Sequence, residues 1–164
     1  MDILVRPATH EDYERLLEIY RQVDELHRRH HPEVFRQPDG PPRTFDYYCS
    51  LLEDMHTGIF VAEEGGDLAG FIHVAIRDAA PIPILRPRRY AVIDGIGVRS
   101  DRQNRGVGSA LMAKAHTWAA AMGATAMQLN VYAFNEQALT FYRKLGYRTV
   151  SYKMDLELPP VVKE

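Results

Sequence analysis

Apolar residues along the chain follow two rhythms, and the switches between them outline the elements. Ile3 to Pro7 is a short apolar run that reads as a first strand. Thr9 followed by Asp12 resembles an N-cap with the acid of a capping box. From there Tyr13, Leu16, Leu17, Tyr20, Val23 and Leu26 recur at three- and four-residue steps, which predicts an amphipathic helix. That helix should fray at His30-His31-Pro32, because the residue before a proline is pushed out of the α region. Pro38, Gly40, Pro41 and Pro42 mark an irregular loop. A second helix is expected from Phe45 to His56, with Tyr48, Leu51, Leu52 and Met55 facing inward.

The rhythm then shortens. Ile59 to Ala62 reads as a strand, Gly65-Gly66-Asp67 as a turn and Leu68 to Ile76 as the returning strand. Three prolines, Pro81, Pro83 and Pro87, stiffen the next connection. Ala91 to Val98 is strand-like, although Gly95 and Gly97 interrupt it, as happens at a bulge or a close backbone approach. Val107, Leu111, Met112, Ala115, Trp118, Ala119 and Met122 form one face of a third helix, which Gly123 suits as its C-terminal cap. A strand from Ala126 to Val131, a helix from Asn135 to Leu145 and a last strand pair from Tyr147 to Leu158 complete the pattern. The expectation is one α+β domain over residues 1–158, with a short tail at 159–164.

Composition narrows the class. The 164 residues suffice for one domain with its own core. With 46% hydrophobic and 26% charged residues the chain matches ordinary globular proteins. No apolar run approaches the roughly 20 residues of a membrane helix, and the first residues turn polar too soon for a secretory signal. Cys49 stands alone, so it reads as a buried, inert thiol in a reducing compartment, and a cytoplasmic protein is expected. The net charge of -2 offers no general attraction to nucleic acid or to an anionic membrane, and neither is expected as a partner. His27 and His31 share a helix face at zinc-like spacing, but no third ligand accompanies them, so no metal is expected.

The stretch from Val98 to Ser109 carries chemistry. A strand runs into a polar turn that opens a helix through Gly106 and Gly108. The first turn of a helix has N–H groups without intrahelical partners and the positive end of the helix dipole, which together suit phosphate. Arg102 and Arg105 add positive charge nearby. A nucleotide P-loop would need Lys-Ser or Lys-Thr after its last glycine, and Gly108 is followed by Ser109-Ala110. A dinucleotide fingerprint would need a third glycine and a later acid. By itself the loop is equally a glycine-capped helix start.

A second block lies downstream, where Asn135, Ala138, Phe141, Tyr142, Gly146 and Tyr147 stand in the order N-x-x-A-x-x-F-Y-x-x-x-G-Y. This block and V-x-x-x-x-Q-x-x-G-x-G from Val98 to Gly108 resemble the GNAT superfamily of acetyl-CoA-dependent N-acetyltransferases. The resemblance implies a central mixed, mostly antiparallel sheet of six to seven strands flanked by about four helices. Two parallel strands, here 91–98 and 126–131, would splay apart to hold the cofactor. It implies that acetyl-CoA is the cosubstrate and that backbone amides of Gln103, Asn104, Arg105, Gly106, Val107, Gly108 and Ser109 cradle its pyrophosphate. Ile96, Gly97 and Val98 would pair with the pantetheine arm, and Asn135, Ala138 and Tyr142 would lie near its thioester end. Tyr142 matches the family's proton donor to the leaving thiolate.

Asp94 is the candidate general base, expected to share the side-chain parity of Ile96 and Val98 unless the glycines introduce a bulge; Glu63, Glu64 and His73 are rivals. The partner would be an amine acceptor, either a small molecule or a peptide or protein amine, approached through the loop after the first helix and the last strand pair. The family also allows a homodimer. The competing function is an acyl-CoA sensor that binds without turnover. Arg86, Arg88 and Arg89 form a basic patch that reads as a solvated loop or a contact for the adenosine phosphate.

Overall fold

The first strand, β1 (Ile3–Pro7), forms one edge of the sheet. The structure, a computed structural model, describes residues 2–164. After β1 the Thr9 N–H donates to the Asp12 carboxylate at 2.8 Å, and one 3-10 turn leads into α1 (Tyr13–His30). That helix buries Tyr13, Leu16, Leu17, Ile19 and Tyr20 and ends where the proline rule places it. In α2 (Phe45–Glu53) the Thr44 side chain caps the first turn by accepting from the Tyr47 N–H. This helix stops three residues before its expected end. The Asp54 carboxylate accepts from the His56 N–H and the Thr57 hydroxyl and so turns the chain out, which leaves Met55 83% exposed instead of inward.

The hairpin forms as β2 (Thr57–Glu64) and β3 (Asp67–Asp78), both longer than their apolar cores suggest. Then come β4 (Arg89–Val98), α3 (Val107–Ala121), β5 (Met127–Leu129) and α4 (Glu136–Lys144). The sheet order is β1-β2-β3-β4-β5. Its first three pairings are antiparallel, and β4 pairs with β5 in parallel. The mixed, mostly antiparallel sheet with four α-helices matches expectation, but the described residues form five strands, not six or seven. The missing pair is the stretch from Tyr147 to Leu158, where Val150, Tyr152, Met154, Leu156 and Leu158 alternate at the strand period yet are 76% to 91% exposed. A two-residue rhythm records a preference only; a strand also needs a neighbour for its backbone and cover for its apolar face.

The chain forms two compact units, residues 1–130 and 131–164. In the first, the sheet carries α1 and α2 on one face, where Tyr13, Leu16, Ile19, Tyr20 and Tyr48 close over Ile59, Val61 and Phe71. On the other face, a Cβ added to Gly70 would meet Leu111 and Val107 of α3. The α1 side is packed so closely at β4 that a Cβ on Gly97 would stand 2.6 Å from Val23 Cγ2 and 2.7 Å from Phe71 Cε1. The second unit contains α4 and the residues after it.

Candidate functional site

Backbone pairing along β4 is unequal on its two sides. Towards β3 it runs from Arg89 to Val98 and skips only Asp94. Towards β5 it covers only Ala91, Val92 and Ile93, opposite Met127, Gln128 and Leu129. From Asp94 to Val98 no strand among the described residues pairs with that side. The two parallel strands therefore part after three residues. Backbone groups of Ile96, Gly97 and Val98 lie on the strand whose outer side opens, and an extended ligand can pair there as another strand would.

At the point of parting the β3–β4 register slips. His73 pairs with Gly95 but Val74 pairs with Ile93, so Asp94 is the extra residue of a bulge. Regular alternation would put the Asp94 side chain on the face of Ile96 and Val98. The bulge instead brings it to the α1 side, with Oδ2 4.0 Å from His73 Nε2 and 3.7 Å from Arg77 Nη2. The His73 side chain is 16% exposed. Burial lowers its pKa, which Arg77 and Arg43 reinforce and Asp94 and Asp54 oppose, so near neutral pH the imidazole is uncharged and can accept a proton. Arg43 is held nearby by both oxygens of Asp24, at 2.8 and 3.0 Å, with its guanidinium over the Tyr20 ring.

The loop after β4 begins with a 3-10 turn, Ser100–Arg102. Asn104 then takes a left-handed conformation (φ 60°), as does Gly106 (φ 86°), before α3 opens at Val107. Glycine at position 106 makes the second reversal without the Cβ strain another residue would meet. The N–H groups of Val107, Gly108 and Ser109 belong to the first turn of a fifteen-residue helix and have no intrahelical acceptor. Gln103 turns its side chain back to the end of β4, with Nε2 3.5 Å from the Val98 carbonyl. The nearby arginines are not loose cations. Arg102 and Arg105 both donate to Glu64, Arg102 Nη1 at 2.7 Å and Arg105 Nη1 at 3.0 Å. Arg99 is paired with Asp101.

These pairings also sort the rival bases. Glu63 accepts from Arg6, and Glu64 from Arg102 and Arg105; the arginines hold both carboxyls below the ordinary range and make them poor proton acceptors. His73 is the rival that lies beside Asp94. In the proline-rich segment, Arg89 pairs with Asp78 and Arg88 stands over the Tyr90 ring. Cys49 is half-buried instead of buried, and desolvation raises its pKa, which keeps the thiol protonated.

In the second unit Asn135 caps α4, its Oδ1 accepting from the Ala138 N–H at 3.1 Å. That bond leaves the side-chain nitrogen as the part that would donate to a ligand. The Tyr142 ring is 5.3 Å from that of Phe141 and 5.9 Å from that of Tyr147, and burial raises its pKa. Sequence reasoning passed over Arg77, which looks like any polar residue at a strand end. It also missed the ion pairs of Glu64, since nothing in the spacing joins residue 64 to residues 102 and 105.

Known proteins resemble this chain in sequence and fold. The model of the Acetyltransferase (GNAT) family matches residues 14–147. The chain is 29% identical over 143 residues to the uncharacterized N-acetyltransferase MJ1207 of Methanocaldococcus jannaschii, covering 87% of this chain and 59% of that protein's length. It is 30% identical over 153 residues to the L-amino acid N-acetyltransferase AaaT of Escherichia coli, covering 89% of this chain and 83% of that one. In fold it resembles the crystal structure of a mutant BH1408 protein from Bacillus halodurans, with a TM-score of 0.90 at 24% identity over 95% of this chain and 99% of that one.

Proposed function

The chain belongs to the GNAT family of acetyltransferases, and from that premise we propose that it transfers the acetyl group of acetyl-CoA to a primary amine by direct attack in a ternary complex. One observation carries the reading: β4 loses its parallel partner after Ile93 and, past the loop of residues 99–106, leads to a helix start whose N–H groups have no intrahelical acceptor. An open strand edge suits the amide-bearing pantetheine arm, and the helix start suits the diphosphate. In this reading the outward main-chain groups of Ile96 and Val98 pair with the arm, with Gly97 between them. The amides from Gln103 to Ser109 hold the diphosphate, and Asn135 and Ala138 of α4 contribute at the thioester end.

The transfer needs a proton acceptor for the amine and a proton donor for the thiolate. An amine must lose a proton before it attacks, since at neutral pH it is mostly an ammonium ion. Asp94 draws the ammonium and the neutral His73 imidazole takes its proton. The nitrogen then bonds to the acetyl carbon, the carbon–sulfur bond breaks, and Tyr142 gives its proton to the departing thiolate; the second proton that the new amide nitrogen sheds restores the Tyr142 phenol through solvent, and His73 releases the first to solvent. Main-chain N–H at Ile96 polarises the thioester carbonyl. Holding both reactants in line supplies a large part of the acceleration.

For the acceptor we propose free α-amino acids as the first class. AaaT bears that substrate in its name, and Arg77 beside Asp94 sets a cation next to an anion, as a zwitterion requires. We place the reaction in the cytoplasm: among the described residues no helix is long and apolar enough to cross a membrane, and the lone cysteine suits a reducing compartment. A homodimer belongs to the same proposal. Release of free thiol from acetyl-CoA, followed with a panel of L-amino acids, polyamines, aminoglycosides and peptides, tests the reading. Turnover with at least one amine, amino acids foremost, is expected. Coenzyme binding without thiol release across the whole panel would favour the sensor.

A further inference from the structure

Glu64 stands apart from the acidic residues that merely decorate the surface. It ends β2, and with Asp12 it is one of two buried charged residues among the described residues, 5% exposed. A carboxylate removed from water to that extent is costly unless charged donors surround it. The donors are Arg102 and Arg105, whose Nη1 atoms converge on the same oxygen, Oε2. Both belong to the loop between β4 and α3, and Arg105 immediately precedes Gly106, where the chain reverses into the helix. The Arg102 side chain is itself only 15% exposed and reaches Asp67 as well, at 3.4 Å. The main chain adds one more tie, from the Arg99 N–H to the Ala69 carbonyl at 2.8 Å.

Glu64, Asp67 and Asp101 balance Arg99, Arg102 and Arg105 in this patch, three against three. Charge therefore gives the loop little attraction for a diphosphate, and Glu64 taken as a bare charge would repel one. What it does is fix position. It clamps the two arginines on either side of Gln103 and Asn104 to the end of the β2–β3 hairpin, and so sets the path by which the following N–H groups are aimed. We propose that Glu64 is a positioning residue for coenzyme binding, the anchor that holds the loop from Gln103 to Ser109 in its diphosphate-receiving form. This inference rests on the reading of that loop as the coenzyme site.

The two roles of a negative charge predict opposite signs, which makes the test decisive. CoASH is titrated calorimetrically into the wild-type chain, Glu64→Gln and Asp67→Asn, with thermal melting to verify folding and KM and kcat measured for acetyl-CoA. Asp67→Asn removes the same unit of charge from an exposed position, so its affinity should equal or exceed wild type. Glu64→Gln should weaken CoASH binding about tenfold or more, with the loss falling on KM and not on kcat. Should Glu64→Gln fail to fold, Arg102→Lys takes its place, since it keeps the charge but loses the planar fork and should weaken binding likewise. Equal or tighter binding by the folded Glu64 or Arg102 variant overturns the anchor while leaving the coenzyme site intact. Absence of CoASH binding by the wild type instead removes the site and the anchor with it.

Discussion

At the scale of single residues, the proposed proton transfers depend on two side chains that burial pushes in opposite directions. Desolvation raises the Tyr142 pKa and thereby keeps the phenol protonated. The same shift makes donation to a thiolate of ordinary pKa near 8.5 uphill, so position must supply what acidity does not. Tyr142→Phe should therefore lower kcat about 100-fold and leave acetyl-CoA affinity nearly unchanged; steady-state kinetics with undiminished kcat would remove the donor role. Burial lowers the His73 pKa, so its basic form persists to pH values below the ordinary histidine range around 6.5. Acetyl transfer should hold as pH falls through that range and fail only below it, and His73→Gln should remove this limb from the kcat/KM profile. A variant profile that superimposes on wild type would clear His73 of the task. The placement of Tyr142 on α4 and of Asp94 on β4 was legible in the sequence, because motif and strand pattern fix their order. The face that Asp94 occupies was not, because one bulged residue reverses it.

At the scale of elements, periodicity located α1, α3, α4 and the β2–β3 hairpin, since a buried face imposes its rhythm on the sequence. It failed where a local hydrogen bond outweighs the rhythm, as at Asp54, which ends α2 before Met55 can turn inward. It failed again after Tyr147, where an alternating pattern has no strand beside it. Between these lies β4, whose glycines the sequence marked and whose packing explains one of them. At position 97 an alanine Cβ would meet Val23 and Phe71 well inside van der Waals contact. Gly97→Ala should destabilise the protein by about 1–3 kcal/mol, read from the denaturant midpoint, because both neighbours sit in the α1-facing core. A midpoint equal to wild type would mean that β4 and α1 separate more easily than their packing implies.

On the scale of the whole molecule, three features of the first unit meet at the carboxyl end of β4: the lost β5 partner, the Asp94 bulge and the left-handed entry into α3. Their neighbourhood in sequence made the loop legible, whereas the Glu64 anchor 38 residues before Arg102 could be seen only once the chain was folded. The central claim is that this region grips a diphosphate through main-chain N–H groups, and its most direct test is calorimetric titration of CoASH into the wild type and into Gly108→Glu. That variant puts a side chain and a negative charge into the first turn of α3. Saturable one-site binding by the wild type is expected, with a loss of about tenfold or more in the variant. Folded wild-type protein that gives no binding heat, or a folded variant that binds as tightly, would contradict it.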